Sequence, residues 1–371
     1  MFQSSPSLVA EPQRLAAIEQ ARRAVLLAGS SHGATGLAPD IERSWRRCLA
    51  LGHEPDRPVT FNAVSAQGTR RALDASRPLL LAAAPVVRTL TRAMLHTRYF
   101  AILTNPQGLV IDVHGPVDRS DPPAAALARL GIDLSEAAVG TTAIGTTLAE
   151  QQSVWLHRGE HFFQDNAVFS CAGAPIWGPD GRCAGMLDLT GVNVVEQPAL
   201  KHLVTQSARS IENALTLAQP HRLLLRLNWP GRVLGDDNDG LVCLDADGCI
   251  TGMNRPAIEM LCASPETLAA HADSVFAISC AELFDAASQH RGAFEVPLWS
   301  GLRLLALAQP HTTAQKGQSM TGHAVPLKDH EASLIRKAVE DAQGNVEVAA
   351  RALGISRATV YRRLQTRKPV N

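Results

Sequence analysis

The chain has 371 residues, enough for two or three domains of ordinary size, and its 46% hydrophobic and 19% charged residues exclude global disorder. Thirty-five basic and thirty-five acidic side chains cancel to a formal net charge of zero, so any attraction to a polyanion has to come from a local excess. The first residues lack a basic segment leading into an apolar stretch, and the longest apolar run, "PLLLAAAPVV", is about half a membrane span, which gives the expectation of a cytoplasmic protein that does not enter a membrane.

In chain order, "PQRLAAIEQARRAVLLAG" has helical periodicity and "IERSWRRCLALG" is a second helix stopping at Gly52, so residues 12–75 are expected to be helical, as a cap or dimerisation element. From Arg98 the pattern turns to "RYFAILTNPQGLVIDVHG", two apolar runs around "NPQG" that predict a β-hairpin. A second hairpin is predicted at "FSCAGAPIWGPDGRCAGMLDLTG", turning at "GPDG". Between them come a helix near "PPAAALARLG", a Gly/Thr-rich loop "VGTTAIGTT" and a short strand "SVWLHRG". The helix "PALKHLVTQSARSIENALTLA" follows, with Leu200, Leu203, Val204, Ile211 and Leu215 near one face. Strands flanked by helices predict an α+β sensor-like domain over residues 79–218. A weaker repeat follows over 219–310, with a hairpin at "GLVCLDADGCITGMN", a helix at "RPAIEMLCA" and a hairpin at "AFEVPLWSGLRLLALAQP". Residues 311–326 are small and polar and read as a linker.

Seven cysteines, an odd number without a C-x-x-C pair, give neither a disulfide framework nor a zinc cage and are expected to be small buried hydrophobes. "HRGEH" has the H-x-x-E-H spacing that on a helix would gather His157, Glu160 and His161 around zinc. Strand composition before it and Gly159 inside it speak against that helix, so a metal-dependent hydrolase is the remote alternative. The expectation is no enzyme, no metal and no cofactor.

Residues 327–371 predict three helices. The second, capped by Asn345, carries Val346, Ala349, Ala350 and Leu353 at helical spacing. Gly354 makes the turn and Ser356 caps the third, on which Val360 and Leu364 face inward. Small Ala350 lets the second and third helices approach closely, as a helix-turn-helix requires. Residues 345–371 hold six Lys or Arg against Glu347 alone, the electrostatic footprint of phosphate binding. A helix fits the major groove and arginine reads guanine bidentately, so Ser356, Arg357, Ala358, Thr359, Tyr361, Arg362, Arg363 and Arg367 are the candidate contacts to double-stranded DNA.

"GNVEVAARALGISRATVYRRL" resembles the Fis-type helix-turn-helix of bacterial enhancer-binding regulators, and "IERSWRRCLALGHEPDRP" resembles the N-terminal start of the acetoin-catabolism regulators. "VGTTAIGTTLAE", "RGEHF" and "CAGAPIWGPDGRCAGMLDLTG" are similar to the GAF sensor domain of that group, and "GLVCLDADGCITGMN" to its PAS domain. The family pattern "GTNAIG" is replaced here by Gly140, Thr141, Thr142, Ala143, Ile144 and Gly145. The resemblance implies a multidomain α+β chain: helical N-terminal region 1–78, GAF domain 79–218, PAS-like domain 219–310, linker 311–326 and all-α Fis-type domain 327–371. Such regulators place an AAA+ ATPase before the tail and act on sigma-54 polymerase. This sequence has no G-x-x-x-x-G-K-[ST] loop to cradle ATP, and "GAFEVP" shares only three letters with the sigma-54-contacting loop.

The expectation is therefore a dimeric transcriptional regulator, independent of sigma-54, that reads a small-molecule effector through its GAF domain and contacts RNA polymerase. The alternative is an anti-activator paired with an AAA+-bearing homologue. Small Gly and Thr residues let the segment 139–150 curl over a ligand, which makes Thr141, Thr142 and Ile144, with His161 and Cys171, the candidate ligand-binding set.

Overall fold

The computed structural model describes residues 11–27, 37–264 and 267–311, together with Val346, Ala350 and Arg357. The chain divides into two units, Met1–His311 and Thr312–Asn371. In the first unit α1 (Glu11–Arg22) runs into a π-helical turn at Arg23–Leu27, followed by α2 (Pro39–Ala50), α3 (Ala66–Ala75) and α4 (Arg77–Ala93). Helix throughout 12–75 is not what forms. Gly52, at φ +80°, ends α2 with the His53 amide bonded back to the Cys48 carbonyl, and Pro55 and Pro58 keep residues 51–65 out of a helix. The longest apolar run lies inside α4, which buries Leu79, Ala83, Val87 and Leu90.

The first sheet contains β1 (Tyr99–Thr104), β2 (Val110–His114), β3 (Val154–His157), β4 (Phe169–Trp177) and β5 (Cys183–Val192). It is antiparallel, in the order β2-β1-β5-β4-β3. Between β2 and β3 lie the short helices α5 (Pro122–Leu127), α6 (Glu136–Val139) and α7 (Ala143–Glu150), and α8 (Ala199–Leu217) follows β5. The expected Gly/Thr-rich loop is thus largely helical. Thr142 caps α7 by accepting from the Gly145 amide at 3.1 Å, and Ala143, Ile144, Gly145, Thr146 and Thr147 are all buried, so tertiary packing overrides the weak helix propensity of threonine and glycine.

Period-two alternation sends the strands' side chains to two separately buried faces. Phe100, Ile102, Phe169, Cys171 and Met186 join a core with Ile41 and Trp45 of α2. Tyr99, Ala101, Leu103, Ala174, Leu187 and Leu189 join another with Val87 of α4 and Val204 and Ile211 of α8.

The second sheet holds β6 (Leu223–Asn228), β7 (Gly240–Leu244), β8 (Ile250–Met253), β9 (Phe294–Pro297) and β10 (Arg303–Pro310), with α9 (Arg255–Leu261) and α10 (Cys280–Ser288) before β9. Its order is β8-β7-β6-β10-β9, again antiparallel. Both sheets use the same turn chemistry. Asn105 Oδ1 accepts from the amides of Gln107 and Leu109, and Asp245 Oδ1 from those of Asp247 and Cys249, all at 2.9–3.0 Å. Cys262 corrects the expectation of buried cysteines: it is exposed at the end of α9, while the other six are buried or half-buried. Among the described residues no helix is long and apolar enough to cross a membrane.

A buried side chain fastens α8 to the second sheet. Asn254 Oδ1 accepts from the amides of Leu241 (2.7 Å) and Ala257 (3.0 Å). Its Nδ2 donates to Asn213 Oδ1 on α8 (2.7 Å) and to the Asp239 carbonyl (2.8 Å). Removing it deletes a helix cap and strands several buried polar groups, so Asn254→Ala is expected to destabilise the fold by about 2 to 4 kcal/mol. Urea denaturation measures this, and a loss below about 0.5 kcal/mol would mean that the network carries no stability.

Candidate functional site

The alternation of β4 and β5 places Phe169 and Cys171, and across from them Asp188 and Thr190, on the face that looks toward α7. Asp188 stands opposite Gly173, where a Cβ would lie 2.6 Å from Thr147 Oγ1 and 3.0 Å from the Ala143 carbonyl oxygen. Only glycine lets α7 lie this close to the sheet. Between them remains a small cavity, tighter than an ordinary small-molecule site. Its apolar wall includes Phe61, Ile102, Leu127, Leu134, Ile144 and Phe169, and its polar groups are Thr142, His161, Asn166, Cys171, Asp188 and Thr190.

Of the ligand residues expected from the sequence, Thr142, Ile144, His161 and Cys171 line this one cavity. Thr141 is fully buried but turns away, its hydroxyl 2.8 Å from Ser44 Oγ and 3.4 Å from Cys48 Sγ. Asn166, Asp188 and Thr190 had no place in the expected set. A carboxylate between Leu187 and Leu189 in a strand is the signal that could have found Asp188, since strand alternation turns it away from both leucines.

Several lining groups keep buried polar atoms without a protein partner among the described residues: His161 Nε2, Asn166 Oδ1 and Asp188 Oδ1. His161 Nδ1 lies 2.8 Å from the Arg158 carbonyl and must donate to it, which leaves Nε2 an acceptor. Burial holds this imidazole neutral, its pKa lowered to about 4. Asn166 Nδ2 donates to the Val139 carbonyl at 3.1 Å, which fixes the amide with Oδ1 on the other side. Thr190 donates to Asp188 Oδ2 and lies 3.4 Å from Cys171 Sγ, so thiol, hydroxyl and carboxylate form one directed chain. Burial pushes the Asp188 carboxyl up to about 7 and the Cys171 thiol well above its usual range.

Charged groups from the N-terminal helices hold the cavity wall from outside. Arg22, on α1, donates to the carbonyls of Gly159 (2.9 Å), His161 (2.5 Å) and Phe162 (2.9 Å). Arg14 pairs with Glu160 at 3.0 Å and with Glu196 at 3.0 Å, and Trp45 Nε1 donates to the Glu160 carbonyl at 2.8 Å. Arg47, on α2, bridges Glu136 (2.8 Å) and Glu150 (2.5 Å), the two ends of the α6–α7 segment. His157, Glu160 and His161 stand on a strand end and a 3₁₀ turn rather than a helix. Glu160 is engaged by Arg14 and by the His157 amide, and no cluster of three or more His, Cys, Asp or Glu side chains placed to hold a metal occurs among the described residues.

In the second unit Val346, Ala350 and Arg357 are helical; Ala350 is buried and Arg357 exposed. The other candidate DNA contacts, Ser356, Ala358, Thr359, Tyr361, Arg362, Arg363 and Arg367, lie outside the described residues, as does the expected linker beyond His311.

The family model of the MimR N-terminal domain matches residues 16–213, which span both the cavity and the helices that hold its wall. The chain belongs to the MimR N-terminal-domain family. The model described as bacterial regulatory protein, Fis family, matches residues 326–366, and no AAA+ model is found. The acetoin catabolism regulatory protein of Cupriavidus necator is 29% identical over 279 residues, covering 72% of this chain and 41% of that protein. The propane 2-monooxygenase operon transcriptional activator MimR of Mycolicibacterium goodii is 31% identical over 200 residues, covering 53% and 33%. The signal-transduction and transcriptional-control protein of Clostridium beijerinckii is 26% identical over 222 residues, covering 60% and 35%. This MimR-family chain thus spans about two fifths or less of the length of these relatives. Among solved structures, the E. coli DhaR(N)–DhaL complex matches with a TM-score of 0.46 at 14% identity, over 74% of this chain and 100% of that one.

The raised carboxyl makes the MimR-family cavity sensitive to pH. The folded chain holds a proton on Asp188 that the unfolded chain releases near its ordinary value of 3.8. Stability from this group is therefore greatest at low pH, falls as pH rises from about 4 to about 7, and levels off above. Asp188→Asn mimics the neutral acid and should remove that decline. The stability of the variant minus that of the wild type should grow across this window, by an amount on the order of a few kcal/mol. Urea melts at about pH 5 and about pH 8 compare them, and an unchanged difference would show that the cavity does not bias this proton.

Proposed function

We propose that this chain is a transcriptional regulator that binds double-stranded DNA through its Fis-type tail and reads a small metabolite through the cavity above the first sheet. The match of residues 326–366 to the Fis-family model, on a chain whose first half belongs to the MimR family, carries the reading. Relatives whose names denote regulators or activators of transcription support it. In this reading residues 1–78 are a helical arm, 79–218 a GAF domain, 219–310 a PAS-like domain, 311–326 a linker and 327–371 the DNA-binding domain. The protein is a cytoplasmic homodimer rather than an enzyme. The helical, exposed Arg357 supports a recognition helix bearing Ser356, Arg357, Ala358, Thr359, Tyr361, Arg362, Arg363 and Arg367. Thr142, Ile144, His161 and Cys171 meet the effector, joined by Asn166, Asp188 and Thr190, while Thr141 anchors the wall to α2.

The missing phosphate loop supports action through DNA occupancy and contact with RNA polymerase, without sigma-54. A second reading, an anti-activator working with an AAA+-bearing homologue, draws on the relatives' greater length, of which this chain matches 33–41%. Regulation retained in a strain lacking sigma-54 supports the first reading, and its loss there supports the second.

Arg362→Ala is expected to cost about 1 to 3 kcal/mol of discrimination at one base position, whereas Arg367→Ala should weaken all sequences alike and lower the salt dependence of binding. Fluorescence anisotropy against the best genomic site and its single-base variants, at two salt concentrations, separates them. Unchanged binding by both variants would overturn the recognition helix.

A further inference from the structure

We infer that the cavity is built for a short primary alkylammonium ion, its three N–H donors meeting Asp188 Oδ1, Asn166 Oδ1 and His161 Nε2 and its alkyl tail lying among Phe61, Ile102 and Phe169. The inference rests on the cavity being the effector site and names the chemical class that it takes.

Hydrogen-bond arithmetic carries it. Each of the three atoms is buried without a protein partner among the described residues; His161 Nε2 and Asn166 Oδ1 are fixed as acceptors by what the rest of each side chain does, and Asp188 Oδ1 becomes one when its carboxyl ionises. His161 spends its ring proton on the Arg158 carbonyl, Asn166 turns its amide nitrogen to the Val139 carbonyl, and Asp188 takes its one protein donor, from Thr190, on the other oxygen. The nearby thiol adds no donor when it bonds to Thr190. An ammonium group has three donors and no acceptor to satisfy; a hydroxyl has one donor and would bring lone pairs into a wall already rich in them. A carboxylate ligand brings no N–H donors and no charge that could offset an ionised Asp188.

Charge gives the same answer. Asp188 is fully buried, and no guanidinium or ammonium among the described residues forms an ion pair with it. Facing it are Ile102 from β1, Gly173 and Cys171 from β4, Thr190 from its own strand, Ala143 and Ile144 from α7, and His161 and Asn166 from the segment before β4. Arg22, whose guanidinium bonds to the His161 carbonyl, does not line the cavity and is committed to the three carbonyls of Gly159, His161 and Phe162. A buried carboxylate without a counter-charge favours its protonated form, and a cationic ligand reverses that preference by supplying the missing charge. Binding therefore displaces the Asp188 proton. Affinity should rise about tenfold per pH unit below the Asp188 pKa and level off above it.

The test uses the full chain and n-propylammonium chloride, with propan-1-ol, propane-1,2-diol, sodium propionate and potassium chloride at matched concentrations. Thermal shift should show saturable stabilisation by propylammonium alone, larger at about pH 8 than at about pH 6, and absent in Asp188→Asn. Calorimetry of the wild type near pH 6.5 in two buffers of different ionisation enthalpy should show up to about one proton released per ligand bound, a readout that requires no variant. Stabilisation by the alcohol or diol equal to that by propylammonium, without proton release, overturns the ammonium class and leaves the cavity as an effector site for neutral ligands. Absence of any shift with all probes overturns both. Propylammonium binding retained in Asp188→Asn also overturns the inference.

Discussion

Both faces of the first sheet are buried, and the asymmetry between them governs what the domain can do. On the α4–α8 side the central strands contribute Leu187, Leu189, Ala172 and Ala174, which need only close packing. The opposite side carries Cys171, Asp188 and Thr190, and a polar side chain removed from water has to find partners there or leave its hydrogen bonds unmade. Thr190 satisfies half of Asp188 and Gly173 admits α7. The remaining acceptors are a cost that the surrounding packing has to carry. Buried acceptors without a protein partner among the described residues cost stability at one place, and functional sites are where natural proteins bear such a cost.

The helical arm compensates from outside. Arg22 is itself buried, its guanidinium bonded to three carbonyls of the turn carrying His161. Desolvation lowers its pKa, while Glu19 and Asp56 oppose that shift. A charge placed this way orients backbone rather than adding much net stability, because desolvation consumes most of the Coulombic gain. Glu160 shows the same balance: burial pushes its carboxyl up to about 7 even with Arg14 beside it. The contact between arm and cavity wall is thus specific in geometry and modest in energy.

The sequence made the hairpins legible because their turns announce themselves. Asn105 and Asp245 fold the chain through their own side chains, and the flanking apolar runs then pair in the only register that the turn allows. It hid α7, since Gly-Thr-Thr-Ala-Ile-Gly-Thr-Thr has the composition of a loop and becomes helical only by burial against β4. It also hid β6 and α10, where "LLLRLN" and "CAELFDAAS" are too short for period to decide. His161, Cys171 and Thr142 could be named as candidates by residue type and proximity to the glycine-rich segment. Asp188 was legible only as a carboxylate between two strand leucines; what it faces depends on which strand lies opposite and on the lack of a cation beside it among the described residues, neither of which is a property of local sequence.

Helix α8 belongs mechanically to both sheets. Its Leu200, Val204 and Ile211 pack on the apolar face of the first sheet, Glu212 accepts from the Trp177 amide at the end of β4 (2.9 Å), and Asn213 is bonded to Asn254 at the start of α9. Arg255, the next residue, stacks its guanidinium 4.2 Å from the centre of the Trp177 ring. Sliding α8 against the first sheet breaks the half-buried Glu212–Trp177 bond and sliding it against the second breaks the buried Asn213–Asn254 bond, whereas moving it together with the β4 end and α9 breaks neither. The strand whose Phe169 and Cys171 line the cavity is thus joined to the second sheet at two places, through Trp177 and α8 to the start of α9, and through the Met253 amide, which donates to the Pro179 carbonyl in the β4–β5 turn at 2.9 Å.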